Sequence, residues 1–255
     1  MRASARGLVA RLSPVLGLVA VVLIFAVLAD EPGRFLSAFN LRVVLSQTVI
    51  TALGAIGMTM IVVGGGIDLS VGAAIALTGV LAALGLRDGW SPSLAVAAAV
   101  AAGGFIGLVN GAVITALRVV PFIVTLGMLG TARGTAKWLA NEQTVNVPPS
   151  WVNDLVVTMP KPAWLILPIG VWVVIVLAIP AALMLRYTVF GRRIFALAPT
   201  KRRPEPGIDT TRLKLAMYSV AGCLFGLTGV MQVSACDRAI PRWPTAWSWT
   251  SSPRW

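Results

Sequence analysis

Gly64-Gly65-Gly66-Ile67-Asp68-Leu69-Ser70-Val71-Gly72 sets three glycines and a carboxylate between two apolar runs. A helix must break here, because glycine takes backbone angles that other residues avoid and Asp and Ser compete for backbone amides. Asp68 or Ser70 is expected to cap the amides of a helix beginning near Val71. The flanking runs cover about 42–63 and 71–86, and further runs follow at about 12–29, 93–117, 121–140, 163–185 and 213–233. A bilayer core about 30 Å thick takes roughly 20 apolar residues per helix, so the expected fold is an all-α polytopic membrane protein with about seven transmembrane helices.

Composition agrees. The 255 residues are 57% hydrophobic and only 12% charged, against about 25% charged in soluble domains. Seven spans leave only short loops and no room for a separate soluble enzyme domain. Histidine is absent and the nine carboxylates are scattered, which removes the usual general acid–base and metal-binding sets. The chain is expected not to be an enzyme, to bind no metal and to hold no cofactor of its own. Cys223 and Cys236 form no CxxC pair, and Cys223 reads as a buried thiol. The triple glycine lacks both a following Lys-Ser/Thr and a preceding strand, so it is no phosphate-cradling loop. Asp68 retains a second reading as an ion or substrate site, since carboxylates within a membrane are costly.

The net charge of +12 is an orientation signal rather than a nucleic-acid footprint. Arg2, Arg6 and Arg11 precede the first run, and 186–214 carries Arg186, Arg192, Arg193, Lys201, Arg202, Arg203, Arg212 and Lys214 against Glu205 and Asp209. Both segments are expected in the cytoplasm. Alternation then places 64–70, 118–120 and 186–212 inside, and 30–41, 87–92 and 141–162 outside, where the cations are Arg34, Arg87 and Lys161. The first run also fits a cleaved signal peptide, with Val27-Leu28-Ala29 before Asp30. Residues 141–162, with Asn146, Pro148, Pro149, Trp151, Pro160 and Pro162, read as an outside loop anchored at the interface.

Gly103, Gly107 and Gly111 recur at helical spacing in one run, and Gly222 and Gly226 repeat the device in the last. Side-chain-free positions along one face let a neighbouring backbone approach closely. Polar residues in or near the apolar runs are Ser46, Gln47, Thr48, Thr51, Asn110 and Thr115. Gln47, Thr51, Asn110 and Thr115 are candidates to line a path, with bonding to a neighbouring helix as the other reading.

Gly65-Gly66-Ile67-Asp68-Leu69-Ser70-Val71-Gly72 resembles the signature of the permease subunits of sugar-type ABC importers, the ribose/xylose/galactose group. Asn110-Gly111, Pro121-Phe122-Ile123-Val124-Thr125-Leu126-Gly127, Arg133-Gly134, Phe190-Gly191-Arg192-Arg193-Ile194 and Gly207-Ile208-Asp209 follow in the family's order. The likeness covers roughly 10–235. It implies a fold that reaches about ten spans of roughly 20 residues each in full-length relatives, and a permease passing a monosaccharide such as ribose or xylose to the cytoplasm. It also implies four associations: a periplasmic sugar-binding protein, a cytoplasmic ATP-binding subunit that uses the ATP, a second identical or related permease, and the lipid bilayer of the inner membrane. The family's coupling segment corresponds to 186–214, so Gly191, Arg192, Arg193, Gly207, Ile208 and Asp209 are the implied ATPase-coupling residues. A basic loop lying on anionic lipid is the alternative.

Two stretches depart from the family. After Val233 the apolar pattern stops, and Asp237–Trp255 holds Trp243, Trp247, Trp249 and Trp255 with three prolines. Back-translated in GC-rich codons and read one frame on, 245–255 becomes Gly-Leu-Glu-Leu-Asp-Val-Ile-Ala-Ala-Val, the family's own continuation. Ala198–Pro206 treated likewise gives Pro-Asn-Glu-Glu-Ala-Ala-Arg. The expectation is a membrane-spanning permease domain at 1–233 and an aberrant non-family tail at 234–255, frameshifted near 234–238 and truncated. Pro204 and Pro206 would oppose a coupling helix there. An inactive fragment of a permease and a secondary transporter are the rival readings.

Overall fold

The computed structural model describes residues 2–29, 31–159, 165–197 and 209–239. Helices form at α1 (Arg2–Leu28), α2 (Pro32–Phe35), α3 (Ala38–Val63), α4 (Val71–Arg87), α5 (Pro92–Leu117), α6 (Pro121–Leu139), α7 (Ile169–Tyr187), α8 (Val189–Leu197) and α9 (Thr210–Ala239), with a 3-10 turn at Trp151–Asp154. No strand occurs among the described residues. The fold is that of an all-helical polytopic membrane protein.

Each of the seven expected runs holds a helix, though some ends differ. Among the described residues, four helices are long and apolar enough to cross a membrane: α3, α5, α7 and Thr210–Ala235 of α9. α4 is shorter, and α6 carries Arg133 and Lys137. α7 begins at Ile169, after Pro168, rather than at 163. α9 does not stop at Val233 but continues to Ala239, because backbone bonding runs past the point where Asp237 and Arg238 end the apolar pattern. Of the expected tail, 240–255 lies outside the described residues, as do 198–208.

The chain falls into two units, Met1–Leu45 and Ser46 onward. In the first unit a short knot joins α2 to α3. The Ser37 hydroxyl donates to Arg34 O at 2.7 Å and accepts the Asn40 amide at 3.2 Å, while Asn40 Nδ2 donates to Phe35 O at 2.6 Å.

The second unit is built around α9. The expected glycine contact is present: a Cβ on Gly103 would strike Gly222 O and lie 2.7 Å from Gly226 N, and one on Gly107 would strike Tyr218 O. α5 and α9 thus meet backbone to backbone, which replaces the hydrophobic driving force missing between helices in lipid. α4 uses the same device on another face of α9, where a Cβ on Gly79 would come within 3.2 Å of Gly229 O. α3 brings Gly57, whose Cβ would sit 2.7 Å from the Phe225 ring and 3.1 Å from Ala221 O. Around these seams lie Met60, Ile61, Ile114, Met217 and Tyr218, all buried.

At the far end of α9 the loop after α6 is tied down. Ser234 is fully buried; its hydroxyl accepts the Val156 amide and donates to Asn153 O, both at 3.1 Å. Gly170 N–H donates to Leu155 O at 2.6 Å, carrying the loop into α7. Trp151 stands half exposed beside this latch.

Replacing Gly107 by Leu forces α5 from α9 and is expected to cost at least about 1–3 kcal/mol, the usual penalty of overpacking. Gly130→Ala, on α6 with open space at its Cβ position, is expected to leave stability unchanged or raise it by up to about 1 kcal/mol through helix propensity. Denaturant unfolding of both variants in detergent micelles checks the contrast.

Candidate functional site

α3 ends in a Schellman motif: Gly66 N–H reaches back to Ile61 O at 2.9 Å, and Gly65 N–H to Val62 O at 3.0 Å. Gly65 has φ +76°, a left-handed conformation that glycine enters without strain. The chain then runs to α4 with alternating burial: Gly64, Gly66, Asp68 and Ser70 inward, Gly65, Ile67 and Leu69 outward. The polar side chains face the bundle and the apolar ones face away, the reverse of a soluble protein's loop.

Inside, the polar groups close on one another. Asp68 Oδ1 accepts the Ser70 amide at 2.7 Å and the Ser70 hydroxyl at 2.6 Å. Asn110 Nδ2 of α5 donates to Ser70 Oγ at 3.0 Å. Thr125, near the start of α6, accepts the Leu69 amide on its Oγ1 at 3.2 Å, and the same oxygen lies 3.2 Å from Ile67 O as donor. All four residues are buried. Three motif stretches far apart in sequence are therefore one physical object: a broken helix held by α5 and α6.

The expected cap is corrected. Neither Asp68 nor Ser70 bonds an amide within α4; Ser70 is the residue before the helix, in helical geometry, with no cap bond from its side chain. Its hydroxyl is engaged by Asp68, so Asp68 closes the turn leading into α4 rather than the helix itself.

Two buried polar atoms at this break have no hydrogen-bond partner among the described residues, Asn110 Oδ1 and the Tyr218 hydroxyl. Tyr218 comes from α9 and rests against the break, since a Cβ on Gly66 would lie 2.7 Å from its oxygen. Met217 packs beside it on Gly64. Gly66 is thus fixed by space rather than by backbone angle. Sequence reasoning did not single out Tyr218; the signal available was that it is one of two tyrosines in the chain and lies inside an apolar run.

The path candidates do not gather. Asn110 is buried in the clamp. Thr115 is half-buried and its hydroxyl donates to Gly111 O of its own helix at 2.8 Å. Gln47 and Thr51 are exposed, one turn apart on α3. Gly72, at the start of α4, has open space at its Cβ position. The structure places Cys223 at intermediate exposure, its sulfur 2.7 Å from a Cβ position on Gly104.

Of the coupling residues, Gly191, Arg192 and Arg193 lie in α8, a short amphipathic helix. Gly191 and Ile194 are buried; Arg192, Arg193 and Phe195 are exposed. Thr188 makes the elbow from α7: its hydroxyl donates to Met184 O at 2.6 Å and accepts the Gly191 amide at 3.1 Å. A Cβ on Gly191 would strike the carbonyls of Met184 and Leu185, so only glycine permits this tight approach. Asp209 caps α9, accepting the amides of Thr211 and Arg212 at 3.1 Å each. Gly207 and Ile208 lie outside the described residues.

Asp68→Ala leaves the Ser70 amide and the Ser70 hydroxyl proton without their acceptor in a buried setting and is expected to cost about 1–3 kcal/mol, whereas Asp68→Asn keeps an acceptor in place and costs less. Tyr218→Phe removes a hydroxyl that bonds nothing here and is expected to stay within about 0.5 kcal/mol of wild type. In Gly66→Ala it is expected to recover part of the loss, because the clash partner is gone. Unfolding curves in detergent for the single variants and the pair check all four outcomes.

Comparison with known proteins places this geometry. The family model for the permease component of branched-chain amino acid transport systems matches residues 40–251. The chain is 34% identical over 225 residues to the ribose import permease protein of Escherichia coli (strain K12), covering 88% of this chain and 70% of that one. It is 32% identical to the L-arabinose ABC transporter permease protein of Azospirillum brasilense, covering 94% and 70%. It is 29% identical to the autoinducer 2 import system permease protein of Photorhabdus luminescens, covering 85% and 65%. No solved structure matches the chain. Break, glycine seams and kinship together make this chain a member of the branched-chain amino acid transport system permease family, a multi-pass membrane permease subunit of the ABC importer type.

Proposed function

We propose that this permease passes a monosaccharide of the ribose, xylose or arabinose kind across the bacterial inner membrane into the cytoplasm, with its N-terminus on the cytoplasmic side. The carrying observation is kinship over nearly the whole chain with a ribose and an arabinose permease. On this reading substrate arrives from a periplasmic sugar-binding protein and a second permease, identical or related, completes the path. A separate ATP-binding subunit supplies the energy; this chain binds no cofactor and catalyses nothing.

Three features support that division of labour. Asp68 is bonded into the turn before α4, which suits a structural carboxylate better than the proton or ion carrier a secondary transporter needs. Gln47 and Thr51 lie together on the exposed face of a spanning helix, neutral groups suited to sugar hydroxyls. α8 and the Asp209 cap lie within the segment proposed as the ATPase dock, and Arg193 of α8 is exposed there. Motion delivered to that segment reaches α7 through Thr188 and α9 through Asp209.

The test is reconstitution of the chain in proteoliposomes with its ATPase and binding protein, measuring uptake of labelled ribose, xylose and arabinose. Uptake of one sugar that requires ATP is expected, and uptake of leucine or isoleucine instead would overturn the sugar reading. Gln47→Leu with Thr51→Val is expected to cut uptake about tenfold for each lost sugar hydrogen bond worth about 1.4 kcal/mol, with helix content unchanged. Arg193→Glu is expected to lower transport while leaving the chain's unfolding midpoint in place.

A further inference from the structure

A groove of about 550 Å³ lies at the α7–α8 elbow, lined by Ala182, Leu185 and Arg186 of α7 and by Arg192 and Phe195 of α8. We propose that it holds an anionic membrane phospholipid, with the phosphate between Arg186 and Arg192 and the start of an acyl chain along Ala182, Leu185 and Phe195.

Its walls are divided by chemistry, two guanidiniums above an apolar floor, and its volume suits a small amphiphile. Neither arginine has a carboxylate partner among the described residues, in contrast to Arg34 with Glu31, Arg87 with Asp88 and Arg212 with Asp209. Arg186 instead stacks over the Tyr187 ring, its guanidinium carbon 5.2 Å from the centroid, which orients the group and leaves its donors available. Planar guanidiniums favour phosphate oxygens in paired geometry.

Depth favours a lipid over a soluble partner. Arg186 stands in the last turn of a spanning helix, about 26 Å along the axis from Ile169 at 1.5 Å per residue, close to the thickness of a hydrocarbon core. Ala182 and Leu185 precede Arg186 on this apolar helix and so lie on its hydrocarbon side. α7 exposes Trp172, Ile175, Val176, Ile179 and Leu183, an outer face suited to acyl chains. The elbow is built rather than incidental: the Thr188 cap and buried Gly191 and Ile194 fix α8, so Arg192 cannot turn away with its helix. This inference is independent of which sugar is carried and separates Arg192, in the groove, from Arg193 on the proposed ATPase side.

The test is native mass spectrometry of the full chain in detergent with dioleoyl phosphatidylglycerol or dioleoyl phosphatidylcholine. Wild type is expected to retain phosphatidylglycerol preferentially, and retention should fall with salt. Arg186→Gln with Arg192→Gln is expected to lower that retention about 25-fold, from about fivefold per arginine near an anionic surface. Arg186→Lys with Arg192→Lys keeps the charge and most of the retention, while circular dichroism confirms helix content. Equal retention of the two lipids by wild type overturns the proposal without need of any variant. So does undiminished phosphatidylglycerol on the folded Gln pair, and so does displacement by glycerol 1-phosphate as effective as by the lipid, which would mark a site for soluble phosphates. Unchanged lipid retention with loss of ATPase-subunit binding in the Gln pair would assign the arginines to that subunit and overturn it as well.

Discussion

A backbone amide or carbonyl left without a partner inside an apolar bundle costs several kcal/mol, and the break between α3 and α4 places a run of them there. The described loop answers this demand from four directions. Its own glycines close the end of α3, Asp68 takes the Ser70 amide, Thr125 takes the Leu69 amide, and Asn110 steadies the serine that completes the turn. The rest of the second unit follows, because α5 and α6 must present those two side chains at one level, and α5 can do so only while it lies against α9.

That contact depends on an absence of atoms. Gly103, Gly107, Gly222 and Gly226 bring two backbones to a separation that no side chain allows, and Gly79 with Gly229 repeats the arrangement for α4. Dispersion between close-packed backbones then substitutes for the hydrophobic effect. The polar break and the glycine seams support each other: the seams fix the helices that clamp the break, and the break sets where α4 begins its course along α9.

Much of this was legible beforehand. Glycines and a carboxylate inside an apolar run mark a helix end wherever they occur, and the spacing of Gly103, Gly107 and Gly111 marks a helix face. The same spacing was visible in Gly222 and Gly226, though not that the two faces meet. The clamp was not, because Asn110 and Thr125 act on residues 40 and 56 positions away, and a polar residue in an apolar span reads the same whether it lines a path or holds a loop. Ser234 was hidden for the same reason, its partners lying 78 and 81 positions away. All seven apolar runs became helices, although α4 is short and α6 carries Arg133 and Lys137.

α9 is held at both extremities: near its start by the Asp209 cap and the seat of Tyr218 against the break, near its finish by Ser234 in the loop after α6. Its 30 residues span about 45 Å at 1.5 Å each, and glycine seams on two faces fix its rotation between those points. Slipping by a single residue would swing every side chain by about 100°, carrying the glycines off their seams and Ser234 off its latch together. Such a helix has no soft small-amplitude mode. It is a detented shaft, whose neighbours must either move with it as a body or wait for all of its seats to release at once.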